Sequence, residues 1–161
     1  MKILQNSFNQ YLNKNYFFEK KPRIAVAVSG GPDSMCLIHL LKNWINGNRG
    51  SLVALIIDHQ LRKESKEESH LIKNYLLKNK ISTKIIKINK KLVIKKSMKE
   101  ARENRYEKLI KYCNRKNIFH LFLAHHYNDN IETFLIRKLS GSNFEGLRGM
   151  RYKSIKNCIQ I

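Results

Sequence analysis

Cysteine is scarce in this sequence and never paired: Cys36, Cys113 and Cys158 stand far apart, and no CxxC occurs. An odd number at such spacings excludes a disulfide framework and a zinc knuckle. No apolar run approaches the roughly 20 residues a bilayer-spanning helix needs. Residues 1–20 mix Asn, Gln, Lys and Glu without an apolar segment, which argues against a secretory signal. A soluble, cytoplasmic protein with reduced thiols is expected. Internal repeats and low-complexity linkers are also missing, so the 161 residues read as one domain. Acids are few: Asp plus Glu number 12 against 32 Lys plus Arg, a formal net charge of +20. That balance suits a polyanionic partner, RNA ahead of DNA or a membrane surface. Richness in Lys, Ile and Asn, as drift toward AT-rich codons would produce, explains it equally well.

What is present alternates. Residues 3–18 carry Ile3, Leu4, Phe8, Tyr11 and Leu12 at helical spacing, and "RIAVAV" (23–28) reads as a buried strand. Helical spacing resumes at Met35, Leu37, Ile38, Leu40 and Leu41, until "WINGNRGS" breaks it. Strands follow at 52–58, 82–88 and 119–125, and helices at 64–80, 97–116 and 128–139, before a glycine-bearing loop at 140–150. Strands alternating with helices imply parallel pairing, right-handed crossovers and helices on both sheet faces, a doubly wound α/β fold. The final "NCIQI" reads as the start of another strand, so a domain cut short at its C-terminus is expected.

The turn after the first strand, "SGGPDS" (29–34), lies where such folds bind ligands. Gly30 and Gly31 let backbone N–H groups approach an oxyanion, Pro32 opens the helix, and Ser29 and Ser34 supply hydroxyls. A carboxylate beside phosphates is repulsive unless a cation intervenes, so Asp33 reads as a Mg²⁺ ligand. A plain turn with a helix cap at Asp33 or Ser34 is the alternative. The pattern is neither a Walker A loop nor GxGxxG. It resembles the pyrophosphate loop of N-type ATP pyrophosphatases, which cleave ATP between its α and β phosphates and adenylate a substrate.

Three further segments extend the resemblance. "DHQLR" (58–62), "ARENRY" (101–106) and "LAHHYNDNIETFLIRKLSGSNFEGLRGM" (123–150) are similar, in order, to segments of the tRNA(Ile)-lysidine synthetases. That resemblance implies an enzyme that joins lysine to the C2 of a cytidine in the CAU anticodon of tRNA(Ile), through an adenylated base. ATP and Mg²⁺ are its implied cofactors, tRNA(Ile) and L-lysine its partners; no membrane is involved and homodimerisation stays open. Asp33, Arg105 and His125 would act in catalysis. Ser29, Gly30, Gly31, Pro32, Asp33, Ser34, Asp58 and His59 would hold the nucleotide. Asp129 and Glu132 would take the substrate lysine's ammonium, with N-terminal helix acids as the plain alternative. Arg62, Arg102, Arg137 and Arg148 would contact tRNA or phosphate, although solvated basic faces are common. His126 is a second candidate beside His125. The chain departs from the family's "DDQ" at Asn128, and from its "RLxRGSG" at "RKLSGSN". Downstream tRNA-gripping regions of that family are not in this sequence. A tRNA thiolase of the same superfamily, or a catalytically silent RNA- or nucleotide-binding module, are the competing readings.

Overall fold

The computed structural model describes residues 2–58, 63–88, 98–125, 138–139, 154–156 and 159–160. Four strands rich in Val, Ile and Leu form its centre: β1 (Arg23–Val28), β2 (Ser51–Asp58), β3 (Ser82–Lys87) and β4 (His120–Leu123). All run parallel, with Val26 opposite Ala54 on one side and Phe122 on the other. Two short strands, β5 (Ile155–Lys156) and β6 (Ile159–Gln160), complete a sheet of order β3-β2-β1-β4-β6-β5. Of the expected terminal strand, Ile159–Gln160 forms: β6 lies parallel to β4, with Gln160 opposite His120. The antiparallel β5 beside it is too short to leave a pattern in the sequence.

Helix α1 (Lys2–Asn15) precedes β1, and α2 (Pro32–Gly47), α3 (Lys63–Lys78) and α4 (Met98–Arg115) lie between successive strands from β1 to β4. Alternation along the strands divides the core into two layers. Ile24, Val26 and Val28 of β1, with Ala54 and Ile56 of β2, meet Leu12 of α1, Ile38, Leu41, Trp44 and Ile45 of α2 and Leu76 of α3. Each large apolar side chain buried there contributes about 1.5–3 kcal/mol. On the other face, Ala25 and Leu55 lie under Leu109, Ile110 and Cys113 of α4, with Leu121 and Ile159. Ala27 and Leu123 pack at the margin of that layer. Cys113 is fully buried, and burial pushes its thiol up to about 12, so it serves as a core side chain.

Helix α1 stops at Asn15, short of the expected residue 18. Long-range aromatic packing takes over there. Tyr16 meets Phe122 at a centroid distance of 5.5 Å, while Phe18 meets Trp44 at 4.5 Å and His120 at 4.7 Å. No helix among the described residues is long and apolar enough to cross a membrane. The expected helix at 128–139 falls outside the described residues except for 138–139, which are helical. The expected loop at 140–150 falls outside them altogether.

Strand order decides where a ligand can sit. From β1 the chain steps to β2 and β3 in one direction, and α2 and α3 cover one face on the way. It then returns along α4, on the opposite face, to place β4 on β1's other side. The order reverses between β1 and β4, and a crevice opens beyond their carboxyl ends at such a switch point.

Candidate functional site

The loop leaving β1 enters that crevice. Gly30 has φ +88°, a conformation that L side chains rarely adopt. A Cβ there would lie 2.5 Å from Ile72 Cδ1, because α3 presses this side chain against the back of the turn. Gly31 differs. It caps α2 with φ −70° and ψ 160°, and a Cβ would find its nearest neighbour, Ser29 Oγ, at 3.5 Å. The fold therefore demands glycine at 30 and tolerates a side chain at 31.

The two hydroxyls fasten the loop to itself. Ser34 Oγ donates to Gly31 O at 2.9 Å and accepts from the Ser29 N–H at 3.2 Å. Ser29 Oγ accepts from the Gly31 N–H at 3.4 Å and lies 3.2 Å from Ser34 Oγ. Ser34 is buried and Ser29 exposed, so the buried hydroxyl braces the turn and the exposed one borders the crevice. Pro32 begins α2 without an N–H of its own, and Asp33 stands exposed in the first turn. A helix N-terminus behind an open glycine turn favours an anion. One exposed carboxylate beside it fits the way Mg²⁺ is usually held, by one or two carboxylates together with substrate phosphates. Among the described residues no cluster of three His, Cys, Asp or Glu could hold a metal alone.

The other expected residues take distinct places along the same edge. Asp58 ends β2 almost wholly buried, and its carboxylate accepts from Ser65 Oγ at 3.2 Å, which ties the start of α3 to the strand end. Arg102 and Arg105, half-buried, lie in the first two turns of α4, near the carboxyl ends of the strands. Their guanidinium carbons sit 5.8 and 5.7 Å from the ring centroid of Tyr106, so one aromatic ring steadies both cations. His125 follows β4 by two residues, exposed, in a tight turn closed by its N–H to Leu123 O at 3.0 Å. The loop 29–34, Asp58, both arginines and His125 thus share one edge. His59, Arg62, His126, Asp129, Glu132, Arg137 and Arg148 lie outside the described residues.

Sequence reading missed Ile72, Ser65 and the place of Tyr106 between the arginines. Ile72 and Leu76 stand four apart on α3, so their shared helix face was legible. That the face abuts Gly30 depends on the strand order.

The chain is 39% identical over 160 residues to the tRNA(Ile)-lysidine synthase of Wolbachia pipientis wMel, covering 98% of this chain and 37% of that protein. It is 37% identical over 130 residues to the synthase of Orientia tsutsugamushi (strain Boryong), covering 81% of this chain and 30% of that one. The chain therefore spans about a third of the length of the curated relatives it matches. Among solved structures, the U34-tRNA thiolase NcsA from Methanococcus maripaludis, with its [4Fe-4S] cluster, superposes with a TM-score of 0.73 over 89% of this chain and 52% of that one. At 14% identity that likeness speaks for the fold alone. The family model of the PP-loop domain matches residues 1–161, from the first helix through the glycine turn to the last strand, and the chain belongs to that family.

Proposed function

We propose that this chain is the ATP-handling catalytic domain of a tRNA(Ile)-lysidine synthase. The observation that carries the reading is the position of the 29–34 loop, at the N-terminus of α2 and at the switch point between β1 and β4. Kinship to the two synthases selects this reaction among those open to PP-loop domains.

In this reading the pyrophosphate of ATP rests against the loop, where the α2 N-terminus favours negative charge. Asp33 would hold a Mg²⁺, which when bound neutralises phosphate charge. The O2 of the anticodon cytidine attacks the α-phosphorus, the bond to pyrophosphate breaks, and the base carries AMP. Arg105, with Arg102 beside it, offsets the charge that develops, and Tyr106 keeps both guanidiniums oriented. The free amino group of lysine then forms a bond to C2 and AMP leaves with the O2 oxygen. Asp129 and Glu132 would receive lysine's other ammonium group, and His125 stands at the edge where a proton must be moved. Arg62, Arg137 and Arg148 would meet tRNA phosphates. No covalent enzyme intermediate is needed; positioning and electrostatics supply the rate.

The test is transfer of labelled lysine to a tRNA(Ile) transcript with a CAU anticodon, with AMP release followed in parallel. Label in the RNA, lost in Asp33→Ala and in Glu132→Ala, is the expected result. AMP release that proceeds with RNA but without lysine incorporation would overturn the assignment and leave a different PP-loop chemistry.

A further inference from the structure

We propose that the edge of the sheet opposite the glycine turn is a docking surface for the sugar–phosphate backbone of RNA. The choice of RNA over another polyanion rests on the reading above; the basic edge itself does not. Four parallel strands enter the sheet side by side at this edge, in the order β3-β2-β1-β4. At about 4.8 Å between neighbours, their entry points form a row roughly 15 Å long.

Each entry point carries exposed positive charge. Lys80 precedes β3, and Arg49 precedes β2. Lys21 and Arg23 lead into β1, while Arg115 and Lys116 close α4 ahead of β4. The acids lie elsewhere. Asp33, Asp58, Glu67, Glu68, Glu100 and Glu103 stand at the carboxyl ends of the strands or in the early turns of the helices that begin there, and Glu107 lies midway along α4. Among the described residues Glu19 is the one acid at the basic edge, and it is already engaged. Its Oε2 lies 2.6 Å from His120 Nε2, and its Oε1 accepts from the Arg23 N–H at 2.8 Å. Bases stand at both edges, with Lys66, Lys87, Arg102 and Arg105 toward the carboxyl one, but only there are they matched by several acids.

Backbone conformation supplies a second observation. Arg49, Lys80 and Asn117 have φ of 52°, 56° and 51°, one in each of the three turns that lead from a helix back to a strand. At Lys80 the turn is closed by Lys80 N–H to Leu77 O and Ile81 N–H to Leu76 O, each 2.9 Å. The same pair of bonds, from Asn117 to Asn114 and from Ile118 to Cys113, closes the turn after α4. Glycine is the usual occupant of this left-handed position after a helix. Two of the three carry a cation there, at a conformational cost that a helix ending does not require. Helix dipoles favour Arg49, Lys80, Arg115 and Lys116, each at or just past a helix end, but they do not account for Lys21 and Arg23, which follow no helix directly. The edge also exposes Phe17 (90%) and Phe119 (49%), aromatic faces on which unpaired bases can stack.

The left-handed positions make a clean test available. In the variant Arg49→Gly/Lys80→Gly/Lys116→Gln, two charges are removed by the residue the backbone prefers, so stability holds or rises. Binding of a fluorescein-labelled single-stranded RNA is measured by anisotropy across a salt series, for wild type and variant. Each phosphate contact on a single strand contributes about 0.7 to the slope of log affinity against log salt, so loss of three flattens that slope by about 2. ATP binding, measured on both proteins, is expected to be unchanged; if wild type bound no ATP, the proposed function would fail and this inference would still be judged on the salt slope. An equal slope in wild type and variant, or no RNA binding by wild type, overturns the proposal. So does a variant that keeps RNA binding but loses binding to phosphatidylserine vesicles, which would make the edge a membrane surface.

Discussion

The two edges of this sheet turn the chain by different means, and the difference separates ligand chemistry from structure. At the carboxyl edge, the turn from β1 into α2 uses a glycine at φ +88°, backed by Ile72 and braced by Ser34. At the amino edge, three turns reach a left-handed φ with Arg49, Lys80 and Asn117. The first edge gives up side chains so that backbone and helix N-terminus face the crevice. The second keeps side chains in a conformation that disfavours them, and two of those are cations. Under the proposed readings, a ligand approaches the main chain at the first edge, where side chains are removed, and meets side chains at the second, where the backbone bears the strain.

Substitution at the two glycines gives the largest contrast. Gly30→Ala is expected to cost about 1–3 kcal/mol, mostly from the backbone conformation, since the Ile72 methyl can swing aside. Gly31→Ala should leave the thermal midpoint in place, because its Cβ would meet Ser29 Oγ only at ordinary contact distance, yet weaken nucleotide binding by adding bulk to the proposed phosphate loop. Thermal unfolding and ATP titration of the pair would check this, and equal unfolding losses at both positions would erase the distinction.

At the amino edge the expected sign reverses. Lys80→Gly relieves about 1–2 kcal/mol of left-handed cost but loosens the unfolded chain by about 0.4–1 kcal/mol, for a net gain below about 1 kcal/mol. Asn117→Gly should gain less, because asparagine accepts this conformation more readily. Denaturant midpoints that fall in both variants would show that the side chains are held by native contacts instead.

The smallest effect concerns Glu19. Burial alone would raise its pKa, but hydrogen bonds from the Arg23 N–H, its own N–H and His120 outweigh that and hold it below the usual 4.5. A depressed carboxylate contributes stability above its unfolded pKa and loses it as pH falls through the lower folded value. The loss therefore falls on the acid side of 4.5. Glu19→Gln should lower stability at neutral pH, where the carboxylate contributes, and flatten the acid limb so that the two curves converge at low pH. An acid limb identical in wild type and variant would show that the pair holds the amino edge by shape alone.

Much of this architecture could be read from side-chain pattern. Runs such as "RIAVAV" and "LVALIID" have one stable place, a sheet covered on both faces, and the strand–glycine–helix order marks the turn that leaves β1. Contacts distant in sequence were not legible. Tyr16 and Phe18 belong to the helical pattern by spacing, yet Phe122, Trp44 and His120 draw them into the core. Lysine at position 80 gives no local sign of a left-handed φ; that follows from the need to end α3 and seat Ile81 in the core. Asp58 was legible as a strand-end carboxylate, but its bond to Ser65 depends on where α3 returns.

Ala25 and Ala27 are the side chains β1 offers to the α4 side of the sheet, where β2 and β4 offer Leu55, Leu121 and Leu123. They act as thin shims. Their thickness helps decide how low α4 rides over the middle of the sheet. Arg102 and Arg105 are mounted at the leading end of that helix. The height at which the two arginines are carried is therefore set partly by two methyl groups beneath their helix.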